Sequence, residues 1–340
     1  MGSDCYICLD PVKTLTRPLR RSIVLALAAI LLSTACGRTH RKGEPAYVSA
    51  PQAILRDRVA AMYNKVGTVK NAERVEIMDR DKRFAMVRTA SGMQGWMEQR
   101  YLVTQKVFDG FQQLAQQQKN VAPQATAVTR NETNLHLEPG RDTDHLYQIN
   151  QGAKLGILKR ALSEKRLPGA KPAQDAPKPM EDWWLVRDPD GHIGWALGRM
   201  IDVDVPLEIA QYAEGQRIIA SFVLNEVQDG ENKVPQYLVL LNENKDGQPT
   251  DYNQIKVFTW NVKKHRYETA YRERINGNLP VTVAHEDFEK EGNLPTFTLR
   301  IPDDTGSVAE RKYKLNNPIV RRVLAPGEQP VKSASKKSTK

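Results

Sequence analysis

The 340-residue chain has only three cysteines, Cys5, Cys8 and Cys36, and none after position 36. No disulfide framework can hold the remainder, and no cysteine nucleophile or cysteine-based zinc site can lie there. Long hydrophobic runs are also scarce. The one such run, Ile23–Leu32, spans ten residues, about 15 Å of helix or half of a hydrocarbon core, so no permanent membrane span is expected. There is no Walker loop, GxGxxG, HExxH or GxSxG. His40, His136, His145, His192, His265 and His285 are scattered without ligand spacing. Asp188, Asp190 and His192 flank a turn that could pass for part of a calcium loop. Nothing supplies that loop's twelfth position, and a plain turn is the expectation. These absences leave no catalytic constellation. The expectation is that the chain is no enzyme, with no catalytic residue, metal ligand or cofactor assigned.

Hydrophobic residues make up 40% and charged residues 26%, ordinary globular usage. The length allows roughly two or three domains. The net charge of +10 favours anionic partners: phospholipid head groups, acidic wall polymers or nucleic acid.

The N-terminus reads as an address. Arg17, Arg20 and Arg21 precede the apolar run, and the small residues Ser33, Thr34 and Ala35 follow it, the layout of a secretory signal. Export argues against nucleic acid as a partner. Leu32-Ser33-Thr34-Ala35-Cys36 resembles the lipobox of bacterial lipoproteins, with Ser33 where that family has Leu. The resemblance implies a signal at 1–35 removed before Cys36 and a diacylated thiol, anchoring the protein in a bilayer by two or three chains. An ordinary signal with an incidental cysteine is the alternative. Gly37, where a sorting Asp would retain the protein in the inner membrane, implies the outer membrane facing the periplasm if the host has one. Cys5-Tyr6-Ile7-Cys8 is a lone CxxC without a second pair and reads as part of a long n-region.

The middle of the chain repeats itself. Gly92-Met93-Gln94-Gly95-Trp96-Met97 matches Gly191-His192-Ile193-Gly194-Trp195-Ala196, and Phe84-Ala85-Met86-Val87-Arg88 matches Trp183-Trp184-Leu185-Val186-Arg187, both at an offset of 99. The segment from Val66 to Met78 matches Leu146 to Leu158 at an offset of 80. The difference is taken up by a Pro- and Gly-rich insertion at 163–182, a loop by composition. Short alternating strands and regular turns argue for a small barrel in each copy. Glycine before tryptophan permits a kink there, so Gly95, Trp96, Gly194 and Trp195 are expected in the cores.

These blocks resemble bacterial SH3 domains. Leu135-His136-Leu137-Glu138-Pro139-Gly140 is close to that family's opening segment, and Ile54-Leu55-Arg56-Asp57 is its counterpart without the proline. The resemblance implies modules that bind cell-wall peptides or proteins and are rarely catalytic themselves.

Between the copies, Val107, Phe108, Phe111, Leu114 and Ala115 form a helical stripe, a connector helix lying on one or both barrels. After Leu207, strand-like runs separated by Asp246-Gly247, Asn276-Gly277 and Asp304-Thr305-Gly306 argue for an antiparallel sheet of six to eight strands, capped by a helix near 207–215. One stretch, Trp260–Tyr267, loosely resembles a propeller blade, too little to close a ring.

The expected fold is mainly β: two small SH3-like barrels, one connector helix and a C-terminal antiparallel β domain. The divisions are a signal at 1–35, a linker at 36–45, barrels at 46–104 and 125–205, the connector at 105–124, the β domain at 206–326 and a basic, disordered tail at 327–340. Trp183 and Trp184 are neighbours on a strand, so they face opposite ways. One should fill the barrel and the other stand partly exposed. Trp184, with Trp183 and Tyr147, is the candidate ligand-binding set. The expected function is that of a membrane-anchored envelope lipoprotein whose barrels bind peptidoglycan or an envelope protein. The alternative is an assembly protein in which the C-terminal domain does the recognition and the barrels act as spacers.

Overall fold

The structure, a computed structural model, describes residues 43–59, 62, 64–165, 178–303 and 305–324. The expected signal, Cys5, Cys8, Cys36, residues 166–177 of the insertion and the basic tail lie outside the described residues. No helix among the described residues is long and apolar enough to cross a membrane.

The chain is mainly β, built on three seven-stranded antiparallel sheets. The first contains β1 (Glu44–Val48), β2 (Gln52–Arg56), β3 (Lys65–Lys70), β4 (Arg74–Asp81), β5 (Phe84–Thr89), β6 (Gln94–Glu98) and β7 (Leu102–Thr104). The second contains β8 (Ala125–Thr129), β9 (Thr133–His136), β10 (His145–Ile149), β11 (Lys154–Glu164), β12 (Met180–Arg187), β13 (Ile193–Leu197) and β14 (Ile201–Val203). The spatial orders are β3-β2-β6-β5-β4-β1-β7 and β10-β9-β13-β12-β11-β8-β14. They are the same order, element for element. A single 3-10 turn, Gln99–Tyr101 or Gly198–Met200, precedes the last strand of each. The sequence repeat is therefore a repeat of topology.

Gly95 and Gly194 sit where a neighbouring strand passes too close for a side chain, which is a different reason from the expected kink. A Cβ on Gly95 would lie 2.8 Å from the Leu55 Cβ, and one on Gly194 would lie 2.7 Å from the Leu135 Cβ. Neither glycine has a positive φ.

The insertion is not loop throughout. The β11–β12 ladder continues to the Glu164–Met180 pair, so both flanks of the stretch are strand. The side chains there explain it. Glu181 and Asp182 are buried, and ion pairs with Arg141 and Arg160 hold them.

The connector is helix α1 (Gln105–Gln118), whose N-terminus is capped by the Thr104 hydroxyl accepting from the Val107 amide at 3.4 Å. Its apolar stripe divides between the two copies. Phe108 stacks on Tyr47 of β1 with ring centroids 3.9 Å apart. Leu114 and Ala115 pack against a tryptophan cluster of the second sheet. The polar face carries the glutamines, of which Gln112 donates to the Tyr147 hydroxyl.

The third sheet is a meander of β15 (Arg217–Asp229), β16 (Asn232–Asn242), β17 (Tyr252–Asn261), β18 (Arg266–Asp287), β19 (Asn293–Pro302), β20 (Val308–Asn316) and β21 (Ile319–Val323), paired in sequence order. A short helix, α2 (Leu207–Ala210), and a 3-10 turn cap it through fully buried Ile209. Asn276-Gly277 does not break a strand as expected. β18 runs through it, pairing with β17 up to Gly277 and with β19 from Asn278 onward. Glycine is required because a Cβ there would overlap the ring of Tyr252.

The first sheet closes over its own core, with Val48, Leu55, Val69, Val75, Val87 and Met97 inside. The interior of the second sheet is continuous with that of the third: Leu155, Ile157, Trp184 and Val186 belong to one cluster with Ile219, Leu240, Ile255 and Phe297. A buried polar joint reinforces this union. Arg160 donates to Asp182 at 2.6 Å, to Asp251 at 3.2 Å and to the Gln248 carbonyl at 2.8 Å. Asp182 also accepts from Arg217 at 2.7 Å and from the Gly247 amide at 3.0 Å.

Candidate functional site

Strand alternation decides which side chains of the first sheet face outward. On β6, Gly95 and Met97 are buried while Trp96 and Glu98 are half-buried. Met97 joins the core, so Trp96 lies on the outer face. Trp96 is opposite Met86 on β5 and Arg56 on β2. Around it a cleft of about 300 Å³ is lined by Pro51, Ile54, Phe84, Trp96 and Tyr101, with Arg56 and Glu98 on the lining as well. Ile54 is 42% exposed. Arginines flank the aromatic rings: Arg83 lies 5.3 Å from the Phe84 centroid, and Arg100 lies 4.7 Å from that of Tyr101. Arg100 is oriented by Glu98 at 2.7 Å and by the Tyr101 hydroxyl at 2.7 Å. An apolar, aromatic floor with a charged rim is the anatomy of a peptide- or protein-binding face.

The second sheet carries the same face, but filled. Trp183 stands for Phe84, Leu185 for Met86 and Trp195 for Trp96. Trp183 is 1% and Trp195 9% exposed. With Leu158, Leu185 and Ile193 they form a cluster that α1 covers through Leu114 and Ala115. One face of the duplicated pair is therefore closed by the connector helix, and the other is open.

The expected ligand-binding residues are not at an open surface. Trp183 and Trp184 do point to opposite sides, but neither is partly exposed. Trp184 is 4% exposed, because its side is the interior shared with the third sheet. Trp183 is covered by its own cluster and by the His136 ring, 5.1 Å away and edge-on. Tyr147 is buried at the joint of α1 and the second sheet. Its ring stacks on His192 at 3.9 Å and meets the edge of Phe111 at 5.3 Å. Trp195, Gly95 and Gly194 are buried. Trp96, expected inside, is half-exposed and central to the cleft, because Met97 takes the inward position of that strand. The structure brings Trp183 and Trp195 together in one cluster, and Trp184 and Tyr147 in another.

Asp188, Asp190 and His192 each bring one ligand atom to within 4.8 Å of the others. Both oxygens of Asp188 are already engaged: one accepts from the His192 amide and the other meets His192 Nδ1, each at 2.8 Å. The Gly191 amide donates to the Asp188 carbonyl at 3.1 Å. These bonds close a turn. Hydrogen bonding to Asp188 raises the His192 pKa despite partial burial. Stability from this pair is present below the unfolded value of about 6.5 and is lost as pH rises through the raised folded value. His192→Asn is expected to remove that decline. Unfolding of the two proteins in urea from pH 5 to 9 checks it, and parallel pH profiles would contradict it.

No protein-family model matches the chain, and no curated protein matches it. Among solved structures it is similar to NlpC2 from Trichomonas vaginalis at 10% identity and a TM-score of 0.18, covering 84% of this chain and 93% of that one. It is also similar to an NlpC/P60 family protein from Bacillus cereus at 10% identity and a TM-score of 0.22, covering 80% and 94%. A third, NlpC1 from Trichomonas vaginalis, has 9% identity and a TM-score of 0.19, covering 81% and 89%. Likeness at these scores fixes neither arrangement nor activity for this chain. Beside neighbours of these names, the expectation that the chain is no enzyme does not stand.

Proposed function

We propose that the protein is a cell-envelope lipoprotein, anchored in a bilayer through acylated Cys36, whose first SH3-like barrel binds cell-wall peptide or a partner protein on its open aromatic face. The carrying observation is the contrast between the two copies. They share one strand order, and where α1 fills the face of the second, the same face of the first keeps Trp96 and Ile54 at the surface. The resemblance of each copy to bacterial SH3 domains and the lipobox at 32–36 support the envelope setting. The NlpC/P60 names are consistent with a wall-related role. The second barrel, closed by α1 and joined by its core to the third sheet, serves in this reading as the spacer of the alternative scheme.

Cutting at residue 205 would pass through the shared core, so the full chain is the probe. In cells, Cys36→Ser is expected to abolish fatty-acid labelling and signal removal. The unmutated protein is expected to be retained on purified peptidoglycan or to cross-link to an envelope protein through the first barrel. Cleavage and membrane retention of the Cys36→Ser protein would refute the anchor, and cross-links confined to residues beyond 205 would refute the binding face.

A further inference from the structure

A second cleft lies where the second sheet meets the third. It encloses about 380 Å³ and has an apolar side formed by Ile201, Val203, Ile218 and Ile219. Three arginines line it, Arg130, Arg199 and Arg217, against two carboxylates, Asp202 and Asp246. Arg130 is paired with Asp202. Arg217 is paired with Asp246 at 3.1 Å and with Asp182 at 2.7 Å. Arg199 has no hydrogen-bond or ion-pair partner among the described residues.

The internal repeat shows what has changed. Arg199 corresponds to Arg100 of the first copy, whose guanidinium is held by Glu98 and Tyr101. At the corresponding positions the second copy has Leu197 and Met200. The arginine is retained, its carboxylate and its phenol are gone, and from the 3-10 turn Gly198–Met200 it lines the cleft instead. The lining therefore carries one positive charge in excess, beside apolar walls that focus it. A guanidinium binds carboxylate or phosphate oxygens through paired N–H donors.

We infer that this cleft binds a monocarboxylate with a short apolar group, such as the free C-terminus of a peptide ending in a small apolar residue. One excess positive charge matches one carboxylate, whereas a phosphate dianion would leave the cleft negatively charged. Arg199 takes the carboxylate, and Ile201, Val203 and Ile218 take the apolar group. Arg217, a quarter exposed, is already compensated by two aspartates, which leaves Arg199 as the arginine free to take the ligand.

The test is titration calorimetry on the full chain with acetyl-Ala-Ala as the free acid, the same peptide as its C-terminal amide, and inorganic phosphate. The free acid is expected to bind at least tenfold more tightly than the amide and than phosphate. Arg199→Ala is expected to weaken the free acid at least tenfold, and Arg199→Glu to abolish it. Arg199 is exposed, so both variants should melt with the unmutated protein, and a melt of each checks that. Equal binding of acid and amide, no binding of the acid, tighter binding of phosphate, or an Arg199→Ala protein that binds like the parent would each overturn the assignment. None of these results bears on the Trp96 face, which lies on the other copy.

Discussion

Asp182→Ala is expected to destabilise the protein by about 3–5 kcal/mol, the range for breaking a buried ion pair from one side. The carboxylate is fully buried, and Arg160 beside it is 2% exposed. Alanine would leave the guanidinium in the interior with only Asp251 as counter-charge, and would strip Arg217 and the Gly247 amide of an acceptor. Arg160→Leu combined with Asp182→Leu is expected to cost less than Asp182→Ala alone, because the buried guanidinium is then gone and Asp251, whose pKa burial already raises, is left to take up a proton. Urea midpoints of the three proteins decide this, and a double variant less stable than the single would contradict it.

The same joint has an acid limit. Burial opposes the charge on Asp182, but Arg160, Arg217 and the Gly247 amide together hold its pKa below the ordinary range. Its contribution is present above the unfolded value of about 3.9 and is lost as pH falls through the lower folded value. Asp251 is pushed up by burial, so acidification neutralises it first. The union of the second and third sheets rests partly on this joint.

The repeat was the most legible feature of the sequence. Glycine before tryptophan, the apolar pairs Val75 with Ile77 and Leu155 with Ile157, and the constant offset after Phe84 all follow from strand geometry, which is local. The paired topology appears in the structure as those matches require. The helical stripe of α1 was equally plain, since Val107, Phe111 and Leu114 fall on one side of a helix. What sequence could not supply was the cover on each face. Trp183 and Trp195 look like surface or core depending on whether Leu114 and Ala115 arrive, and Trp184 depends on Ile219 and its neighbours far along the chain. Those contacts are tertiary and leave no period in the sequence. One signal for Trp96 was present: at the position of Glu98 in the first copy, the second has Leu197, which packs on the covered tryptophan cluster. A polar residue on the outer face of one copy and an apolar one on the other mark which face is wet. Asn276-Gly277 misled for a similar reason, because the space over Gly277 is filled by Tyr252, and a glycine needed for close packing has the same letter as one needed for a turn.

The two repeat tryptophans should therefore part company on mutation, although the sequence places them at equivalent positions. Trp195→Ala removes an indole that packs with Trp183, Leu158 and Leu185 beneath α1. Truncating a large buried aromatic typically costs about 3–5 kcal/mol, a large fraction of the stability of an ordinary domain. Loss of the indole also loosens the seat of Leu114 and Ala115. A drop of several degrees in melting temperature is expected, with α1 becoming open to proteolysis. Trp96→Ala removes a half-buried ring with solvent already on one side, and Met97 continues to fill the core behind it. Its melting temperature should stay close to the parent's. Binding to peptidoglycan or to the partner should fall by about 2 kcal/mol or more, roughly thirty-fold, as for tryptophans at the centre of an interface. Trp96→Phe, which keeps an aromatic surface against Phe84 and Pro51, should recover part of that loss. A Trp96→Ala protein that melts early and binds normally when folded would return the indole to the core and close the first face as a site. In that event the chemistry of recognition would have to lie with the third sheet and the cleft at Arg199.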